Sequence, residues 1–330
     1  MTTKKPFSKD IILLDNVEEV TDKIIEKIKQ DILHIFKRNG AVVGISGGID
    51  SSVCLALAAR AFGPDRVLGI MLPEKDSSTD SEVFASELAA KFGVKAKKEN
   101  ITSALSGYKC YERRDEAVKR VFPEYDPASY KMKIGIRQSG LFSNLPPVFN
   151  LTIIDSDGVQ KDKMLPVNEY LQIVAASNFK QRTRMSILYY YAETLHYGVI
   201  GTPNKHEQKQ GFFVKYGDGA GDIMPIGNLY KTQVYQLAEY LGVPKSIINR
   251  TPTTDTYSAE QTQEEFFYQL PFSMMDRYWY GFENAYAPAE VAEVMGETVE
   301  RVEALFRNFE RKRKTTEYLR MGPVRDYYGI

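Results

Sequence analysis

The first hundred residues alternate between helical and strand-like patterns of apolar positions. Over residues 17–38, apolar side chains recur every three or four positions, which is typical of an amphipathic helix. The short apolar runs 41–46 and 67–73 predict buried strands, and residues 94–101 carry a weaker strand-like pattern. The spacing leaves room for one helix after each of the first two strands.

The joining segments 51–62 and 79–92 predict those helices. Further along the chain, residues 180–197 predict a helix, 197–202 a strand and 230–241 another helix. Strands that alternate with helices in this way favour a parallel sheet. We therefore expect an α/β protein with a doubly wound parallel sheet and helices on both faces.

One region between these elements interrupts the alternation. Residues 148–166 alternate in polarity around Asp155-Ser156-Asp157-Gly158, which predicts a β-hairpin. We expect an insertion at 134–172, with this hairpin at the ligand-facing edge of the sheet. The charged segment 289–318 predicts a helical C-terminal part, and the whole of 1–330 is expected to form a single domain.

Composition excludes several classes of function. Lysine and arginine number 43 and so do aspartate and glutamate, so no net charge draws the chain to nucleic acid or to a membrane surface. The two cysteines, Cys54 and Cys110, form no CxxC pattern, so thiolate-held metals are not expected. Neither a signal peptide nor an apolar stretch of about 18 residues occurs, and we expect a cytoplasmic protein.

The chemistry is concentrated in the turn between the first predicted strand and the helix after it. Ligands of open α/β sheets bind at the carboxyl ends of the strands, and a helix N-terminus at that edge attracts anions. Two glycines allow the backbone to approach an anion closely. Serine hydroxyls beside them can donate to phosphate oxygens. The turn reads Ser46, Gly47, Gly48, Ile49, Asp50, Ser51 and Ser52.

Asp50 distinguishes this turn from other phosphate loops. A lone carboxylate would repel phosphate, so its best use is to hold Mg²⁺ against a pyrophosphate group. The turn matches neither GxxxxGK[ST] nor GxGxxG. A kinase-type P-loop and a dinucleotide oxidoreductase are therefore disfavoured.

SGGIDSS after the first strand resembles the pyrophosphate loop of the N-type ATP pyrophosphatases. Members of that superfamily cleave ATP between the α and β phosphates and form an adenylated substrate. Further segments resemble the NAD synthetase branch in the same order, and the similarity covers about 17–105 and 175–320. They are NFKQRTRMSILY (178–189), GTPNKHE (201–207), GFFVKYGDGAGDIMPIGNLYKTQ (211–233), PTTD (252–255) and ERKR (310–313). The implied fold is the adenine nucleotide α-hydrolase-like one.

The resemblance also implies roles for individual residues. Asp50 and Glu207 would hold Mg²⁺ on ATP, while Thr202, Lys231 and Thr253 would contact its phosphates together with residues 46–52. Lys231 and Asp50 would be catalytic. The residues implied in binding the dinucleotide substrate are Asn178, Arg182, Lys215, Asp218, Asp222, Arg311 and Lys312.

Two positions depart from the branch's usual pattern. Arg311 stands where well-known members carry a histidine, and Val174 stands where an aromatic residue often stacks on the nicotinate ring. With the expected insertion, these departures leave the carboxylate substrate open. The ATP chemistry does not depend on them.

The implied reaction is amidation of nicotinate adenine dinucleotide to NAD by ammonia, through an acyl adenylate, with release of AMP and pyrophosphate. A related ligase acting on a different carboxylate is the alternative. About 40 residues precede the loop strand, so no glutaminase domain is expected there, and ammonia would come free or from a separate glutaminase chain. A homodimer is implied as well. Balanced charge and two isolated cysteines disfavour a tRNA thiolase.

Overall fold

A computed structural model of the protein describes residues 4–136, 141, 148–254 and 256–325. Its strands are β1 (Ala41–Gly44), β2 (Val67–Met71), β3 (Lys95–Lys98), β4 (Lys131–Ile136), β5 (Phe149–Ile154), β6 (Gln160–Met164) and β7 (Gly198–Ile200). Four of them form a parallel sheet in the order β3-β2-β1-β7. Val42 of the central strand pairs with Leu68 on one side and Val199 on the other.

Helices separate the strands of the parallel sheet, and others lie before β1 and after β7. The longer ones are α1 (Val17–Lys29), α2 (Ile49–Phe62), α3 (Thr79–Phe92), α5 (Cys110–Val121), α6 (Val167–Leu195), α8 (Lys231–Leu241), α10 (Phe272–Glu283), α11 (Pro288–Met295) and α12 (Val299–Thr315). The shorter ones are α4 (Thr102–Gly107), α7 (Lys205–Gln210), α9 (Lys245–Ile248) and α13 (Glu317–Arg320). None of these described helices has the length and apolar character that crossing a bilayer demands.

The parallel sheet is covered on both faces, as the sequence predicts. Successive side chains of a strand point to opposite faces. Val43 of β1 therefore packs with Val53 and Val234 of α2 and α8, whereas Val42 packs with Leu188 of α6 on the other face. Both valines are fully buried. The prediction of a doubly wound parallel sheet with helices on both faces is confirmed.

The predicted hairpin forms but belongs to a second sheet. β5 and β6 pair antiparallel, and the Asp155 carboxylate accepts a hydrogen bond from the Val159 N–H at 2.9 Å across the turn. β4, which the sequence analysis missed, pairs with the other edge of β5. Met132 and Leu151 of this sheet pack against Val118 of α5 and Ile173 of α6. The hairpin is therefore part of a separate three-stranded sheet and adds no strand to the parallel one.

The C-terminal helices enclose an aromatic core, in agreement with the predicted helical C-terminal part. Trp279 of α10 lies with its ring centroid 4.9 Å from that of Phe309 in α12 and 6.1 Å from that of His206 in α7. Trp279 and Tyr278 are almost completely buried. Their role is packing, and it ties the C-terminal helices to the short helix α7 that follows β7.

Candidate functional site

The turn from β1 to α2 requires glycine at its centre. Gly47 has φ +71°, a left-handed conformation that side chains with a Cβ disfavour. A Cβ at this position would lie 2.7 Å from the carbonyl oxygen of Ser81 and 2.8 Å from Cβ of Phe84, both in α3. Gly47 therefore lets the turn lie directly against α3.

Serine hydroxyls brace the turn from within. The Ser51 hydroxyl donates to the Gly48 carbonyl oxygen at 3.0 Å and accepts from the Ser46 N–H at 3.3 Å. The Ser46 hydroxyl oxygen accepts from the Gly48 N–H at 3.3 Å. The first N–H groups of α2 have no acceptor within the helix and carry its positive dipole end. The turn is thus a preformed anion site on a helix of 14 residues.

A cavity of about 480 Å³ opens in front of this turn. It brings together most of the residues expected to bind ATP. These are Ser46, Gly47, Gly48, Ile49, Asp50, Ser51, Thr202, Glu207, Lys231 and Thr253. Ser52 is buried outside the cavity lining, and its hydroxyl donates to the Gly48 carbonyl oxygen at 2.8 Å.

Opposite charges meet at the base of the cavity. The ammonium group of Lys231, whose side chain is fully buried, donates to the Asp50 carboxylate. Burial lowers the pKa of Lys231, but the charges of Asp50 and Glu207 outweigh it and the net shift is upward. Burial, reinforced by the charge of Asp50, raises the pKa of Glu207 to about 8. Lys231 is therefore a fixed cation between two carboxylates.

Asn204 joins the two carboxylates, although the sequence analysis did not single it out. Its side-chain oxygen accepts from the Glu207 N–H at 3.2 Å, and the Glu207 carboxylate accepts from the Asn204 N–H at 2.8 Å. This reciprocal pair is a capping box at the start of α7. The Asn204 amide also donates to Asp50 at 3.3 Å. Asn204 thereby fixes the positions of Asp50 and Glu207 together.

A buried histidine–aspartate pair supports the same group from behind. His206 and Asp276 have no solvent exposure, and the histidine Nε2 lies 2.5 Å from the aspartate oxygen. The Asp276 carboxylate also accepts from the N–H groups of Lys231 at 3.3 Å and Thr232 at 2.7 Å. Burial raises the pKa of Asp276, but the hydrogen bonds from His206 and Thr232 outweigh it and hold the pKa below its usual value. Asp276 therefore caps α8 and orients the backbone of Lys231.

Replacing Asp276 by asparagine should loosen this support. Asn cannot accept all of the donors that converge on the carboxylate, and hydrogen bonds to charged groups contribute about 1.5–3 kcal/mol each. We expect Asp276→Asn to lower the free energy of unfolding, measured by urea titration, by about that amount. Asp65→Asn, at an exposed position, should change it by less than about 0.5 kcal/mol. Equal stability of the two variants would remove the proposed support role.

The residues expected to bind the dinucleotide separate into two groups. Asn178 and Asp218 line the cavity. The other five, Arg182, Lys215, Asp222, Arg311 and Lys312, lie outside its lining. The exposed Arg182 donates to the Lys215 carbonyl oxygen at 3.2 Å, and the Lys215 ammonium donates to the Tyr318 carbonyl oxygen at 2.9 Å.

Asp222 and Lys312 have structural contacts of their own. The Asp222 carboxylate accepts from the Val199 N–H at 2.7 Å and so fastens the chain after α7 to β7. Lys312 donates to the carbonyl oxygen of Phe267, a cavity residue, at 3.3 Å. Burial, with the charge of Arg311, lowers the pKa of Lys312 to about 8. Lys312 thus contacts a residue of the cavity wall without lining the cavity itself.

Asp218 should give the protein a measurable pH dependence. Burial raises the pKa of this carboxyl to about 6, although it accepts from the Val214 N–H at 2.7 Å. A raised folded-state pKa contributes stability below the unfolded value of about 3.9 that is lost as pH rises through about 6. Asn at 218 keeps the acceptor without the charge. The fall in unfolding free energy between pH 4 and 7, measured with urea, should be smaller in Asp218→Asn by on the order of 2–3 kcal/mol. Identical pH profiles would contradict this.

Lys180 and Arg184 of α6 are further cavity residues that the sequence analysis did not assign. The buried ammonium of Lys180 donates to Glu74 at 2.9 Å and to Asp76 at 2.7 Å. Arg184 donates to the Leu72 carbonyl oxygen at 3.2 Å. Both side chains therefore hold the segment after β2 against α6. In the sequence, the positive charges of Lys180 and Arg184 within a predicted helix are the only sign of such a role. A charged residue type alone does not distinguish a buried cation from an exposed one.

The donor set at the base of the cavity fits a magnesium ion. Mg²⁺ prefers oxygen ligands, and Asp50 and Glu207 both present carboxylates to the cavity. Burial and the charge of Asp50 raise the pKa of Glu207 and so disfavour its negative charge, and a divalent cation would offset this effect. The described part of the chain has no group of three or more metal-binding side chains. A metal held here would therefore take further ligands from phosphate or water.

The parallel sheet carries the glycine-rich turn at the carboxyl end of β1, and helix α2 starts directly after that turn. This arrangement defines an α/β protein of the adenine nucleotide α-hydrolase-like fold class. The NAD synthase family profile matches residues 20–143 and 150–316, and this chain belongs to that family. The matched residues include most of 134–172, the segment expected to be an insertion.

Relatives agree with this family assignment, and solved structures share the fold. The chain is 45% identical to the NH(3)-dependent NAD(+) synthetase of Mesorhizobium japonicum over 314 residues, 95% of this chain and 98% of that protein. It is 35% identical to the enzyme of that name from Thermotoga maritima over 258 residues, 78% and 84% of the two chains. The NH3-dependent NAD synthetase structure from Campylobacter jejuni shares the fold, with a TM-score of 0.60, 21% identity and coverage of 94% and 98%. So does NMN synthetase from Francisella tularensis, with a TM-score of 0.62, 22% identity and coverage of 95% and 99%.

Proposed function

We propose that this protein is an ammonia-dependent NAD synthase, a ligase that amidates the carboxylate of nicotinate adenine dinucleotide at the expense of ATP. The observation that carries the proposal is the convergence of Asp50, Glu207 and the buried Lys231 on the cavity in front of an anion-binding helix start. The family supports nicotinate adenine dinucleotide as the substrate and ammonia as the nitrogen donor. So does the 45% identical relative, 98% of whose length is matched by this chain.

In the first step the substrate carboxylate oxygen attacks the α phosphorus of ATP. A bond forms between that oxygen and phosphorus, and the bond from phosphorus to the bridging α–β oxygen breaks. Pyrophosphate leaves with the electron pair. The turn 46–51 orients the phosphates through its N–H groups and hydroxyls, and the ammonium of Lys231 stabilises the charge that develops on pyrophosphate. Thr202 and Thr253, both cavity residues, offer hydroxyl donors to the same phosphates.

Ammonia then attacks the acyl carbon of the adenylate, which gives the amide and releases AMP. One proton leaves the attacking nitrogen. None of these steps requires a side chain as a nucleophile, so the protein acts by positioning and electrostatics. Mg²⁺, held by Asp50 and Glu207, would neutralise part of the phosphate charge. Asn204 keeps the two carboxylates in place for that ion.

The dinucleotide is proposed to extend from the cavity to the surface. Asn178 and Asp218 would contact it inside, whereas the outer group Arg182, Lys215, Asp222, Arg311 and Lys312 would contact its remaining parts. Arg182 and Lys215 lie together outside the cavity lining. In the proposed homodimer, a second copy of the chain would complete this outer part of the site. The free thiols of Cys54 and Cys110 suit a reducing cytoplasm.

A turnover assay tests the proposal. Purified protein would be incubated with nicotinate adenine dinucleotide, ATP, Mg²⁺ and ammonium, and the products separated by liquid chromatography. We expect NAD, AMP and pyrophosphate in equal amounts. A panel containing nicotinate mononucleotide, nicotinate, aspartate and glutamate tests the substrate. Faster AMP release with another acid than with nicotinate adenine dinucleotide would identify that acid as the substrate instead. Absence of AMP with every acid would refute the ligase proposal.

A further inference from the structure

Arg250 lines the same cavity, and no step above assigns it a role. We propose that its guanidinium group binds the pyrophosphate portion of ATP and stabilises this group as it leaves. The proposal rests on the proposed function, because it concerns the same reaction. Arg250 lies just after α9, three positions before the cavity residue Thr253.

Two residues of α3 connect Arg250 to the anion-binding turn. Its guanidinium donates to the Ser81 hydroxyl at 3.3 Å, and the guanidinium carbon lies 5.1 Å from the centroid of the Phe84 ring. The backbone of Gly47 is in contact with the same pair, since a Cβ there would lie 2.7 Å from the Ser81 carbonyl oxygen and 2.8 Å from Phe84 Cβ. The turn and the guanidinium therefore flank the same short stretch of α3.

The charge of Arg250 is available, unlike that of the two cavity lysines. Four cationic side chains line the cavity in the described chain. Lys231 is paired with Asp50, and Lys180 with two buried carboxylates. Arg184 donates to a backbone carbonyl and a glutamine on the α6 side. In the part of the chain that the structure describes, Arg250 has a neutral hydroxyl as its hydrogen-bond acceptor and no carboxylate partner.

A guanidinium at this place suits a polyphosphate better than a nucleoside monophosphate. Its planar set of donors matches two phosphate oxygens at once, and it keeps its charge at every physiological pH. The break between the α and β phosphorus places additional negative charge on the leaving pyrophosphate. Arg250 would act on that charge from the α3 side, whereas Lys231 acts from the base of the cavity.

The test compares affinities for ATP, pyrophosphate and AMP by calorimetric titration with Mg²⁺ and without the second substrate. In Arg250→Gln, the dissociation constants for ATP and pyrophosphate should rise about 10- to 100-fold, while that for AMP changes by less than about two-fold. Arg250→Lys keeps the positive charge but loses the planar pair of donors. It should raise the dissociation constants for ATP and pyrophosphate, but by less than Arg250→Gln does. Arg60→Gln is the matched control, because the exposed Arg60 also lies over an aromatic ring, that of Tyr240, at 5.2 Å and does not line the cavity.

A structural role predicts a different pattern. If Arg250 only anchored the chain after α9, ATP and AMP would lose affinity equally, and this result would overturn the proposal. An unchanged ATP affinity would also overturn it. Should Arg250→Gln fail to fold, the ratio of ATP to AMP affinity in Arg250→Lys decides the question in the same way. Wild-type turnover to AMP and pyrophosphate is scored separately, so failure of this inference is distinct from failure of the ligase proposal.

Discussion

Lys231→Met should lower kcat about 10²- to 10³-fold. The substitution keeps the length and apolar stem of a side chain that is fully buried. It removes the cation that we propose stabilises the leaving pyrophosphate. It also leaves the Asp50 carboxylate without its ion-pair partner, and breaking a buried pair costs about 3–5 kcal/mol. Steady-state kinetics and urea unfolding on the same preparation would measure the two losses.

The two losses can be separated by a second substitution. In Lys231→Met with Asp50→Asn, the uncompensated charge is gone, so part of the lost stability should return while kcat stays low. Lys245→Met is the matched control, since Lys245 also opens a helix but is exposed. It should retain wild-type kinetics. An unchanged kcat in Lys231→Met would rule out a role of this lysine in the reaction.

Gly47→Ala should lower kcat/KM for ATP by about 100-fold or more. Alanine at φ +71° is strained, and its Cβ would lie 2.7 Å from the backbone oxygen of Ser81, so the turn must move away from α3. A displacement of about 1 Å in a group that positions substrate costs on the order of 10²-fold in rate. The measurement is the initial rate of AMP formation as a function of ATP concentration.

Gly296→Ala separates strain from displacement. Gly296 has the same φ of +71°, but a Cβ there would meet nothing within 4 Å. This variant should lose about 1–2 kcal/mol of unfolding free energy and keep its kcat/KM. If the two alanine variants had the same kcat/KM, contact of the turn with α3 would be irrelevant to ATP binding.

Apolar periodicity is sufficient to predict the parallel sheet because buried strands and their covering helices carry the strongest patterns. The predicted helix 79–92 coincides with α3, and the strand at 67–73 differs from β2 by two residues. The helix expected at 180–197 begins earlier, at Val167, since exposed residues such as Leu171 obscure its first turns. The sequence analysis did not predict β4. Met132 and Ile134 alternate with Lys131 and Lys133, but only two apolar positions do so, and the strand β5 that pairs with them begins at Phe149.

Some residues of the candidate site can be predicted from the sequence, and others cannot. The turn 46–52 can be recognised from the sequence because its glycines, serines and aspartate are contiguous. The pairing of Lys231 with Asp50 cannot, since 181 positions separate them and a lysine in a helix usually faces solvent. His206 and Asp276, 70 positions apart, are hidden in the same way. Only the packing of α7, α8 and α10 around one point reveals that these side chains support the site.

The central claim is that ATP is cleaved between its α and β phosphorus by attack of the substrate's carboxylate. The most direct measurement uses nicotinate adenine dinucleotide carrying ¹⁸O in the carboxylate, with ATP, Mg²⁺ and ammonium, and mass spectrometry of the nucleotide products. The account predicts that AMP carries one ¹⁸O atom in its phosphate and that pyrophosphate carries none. Formation of ADP, or ¹⁸O in orthophosphate, would contradict it.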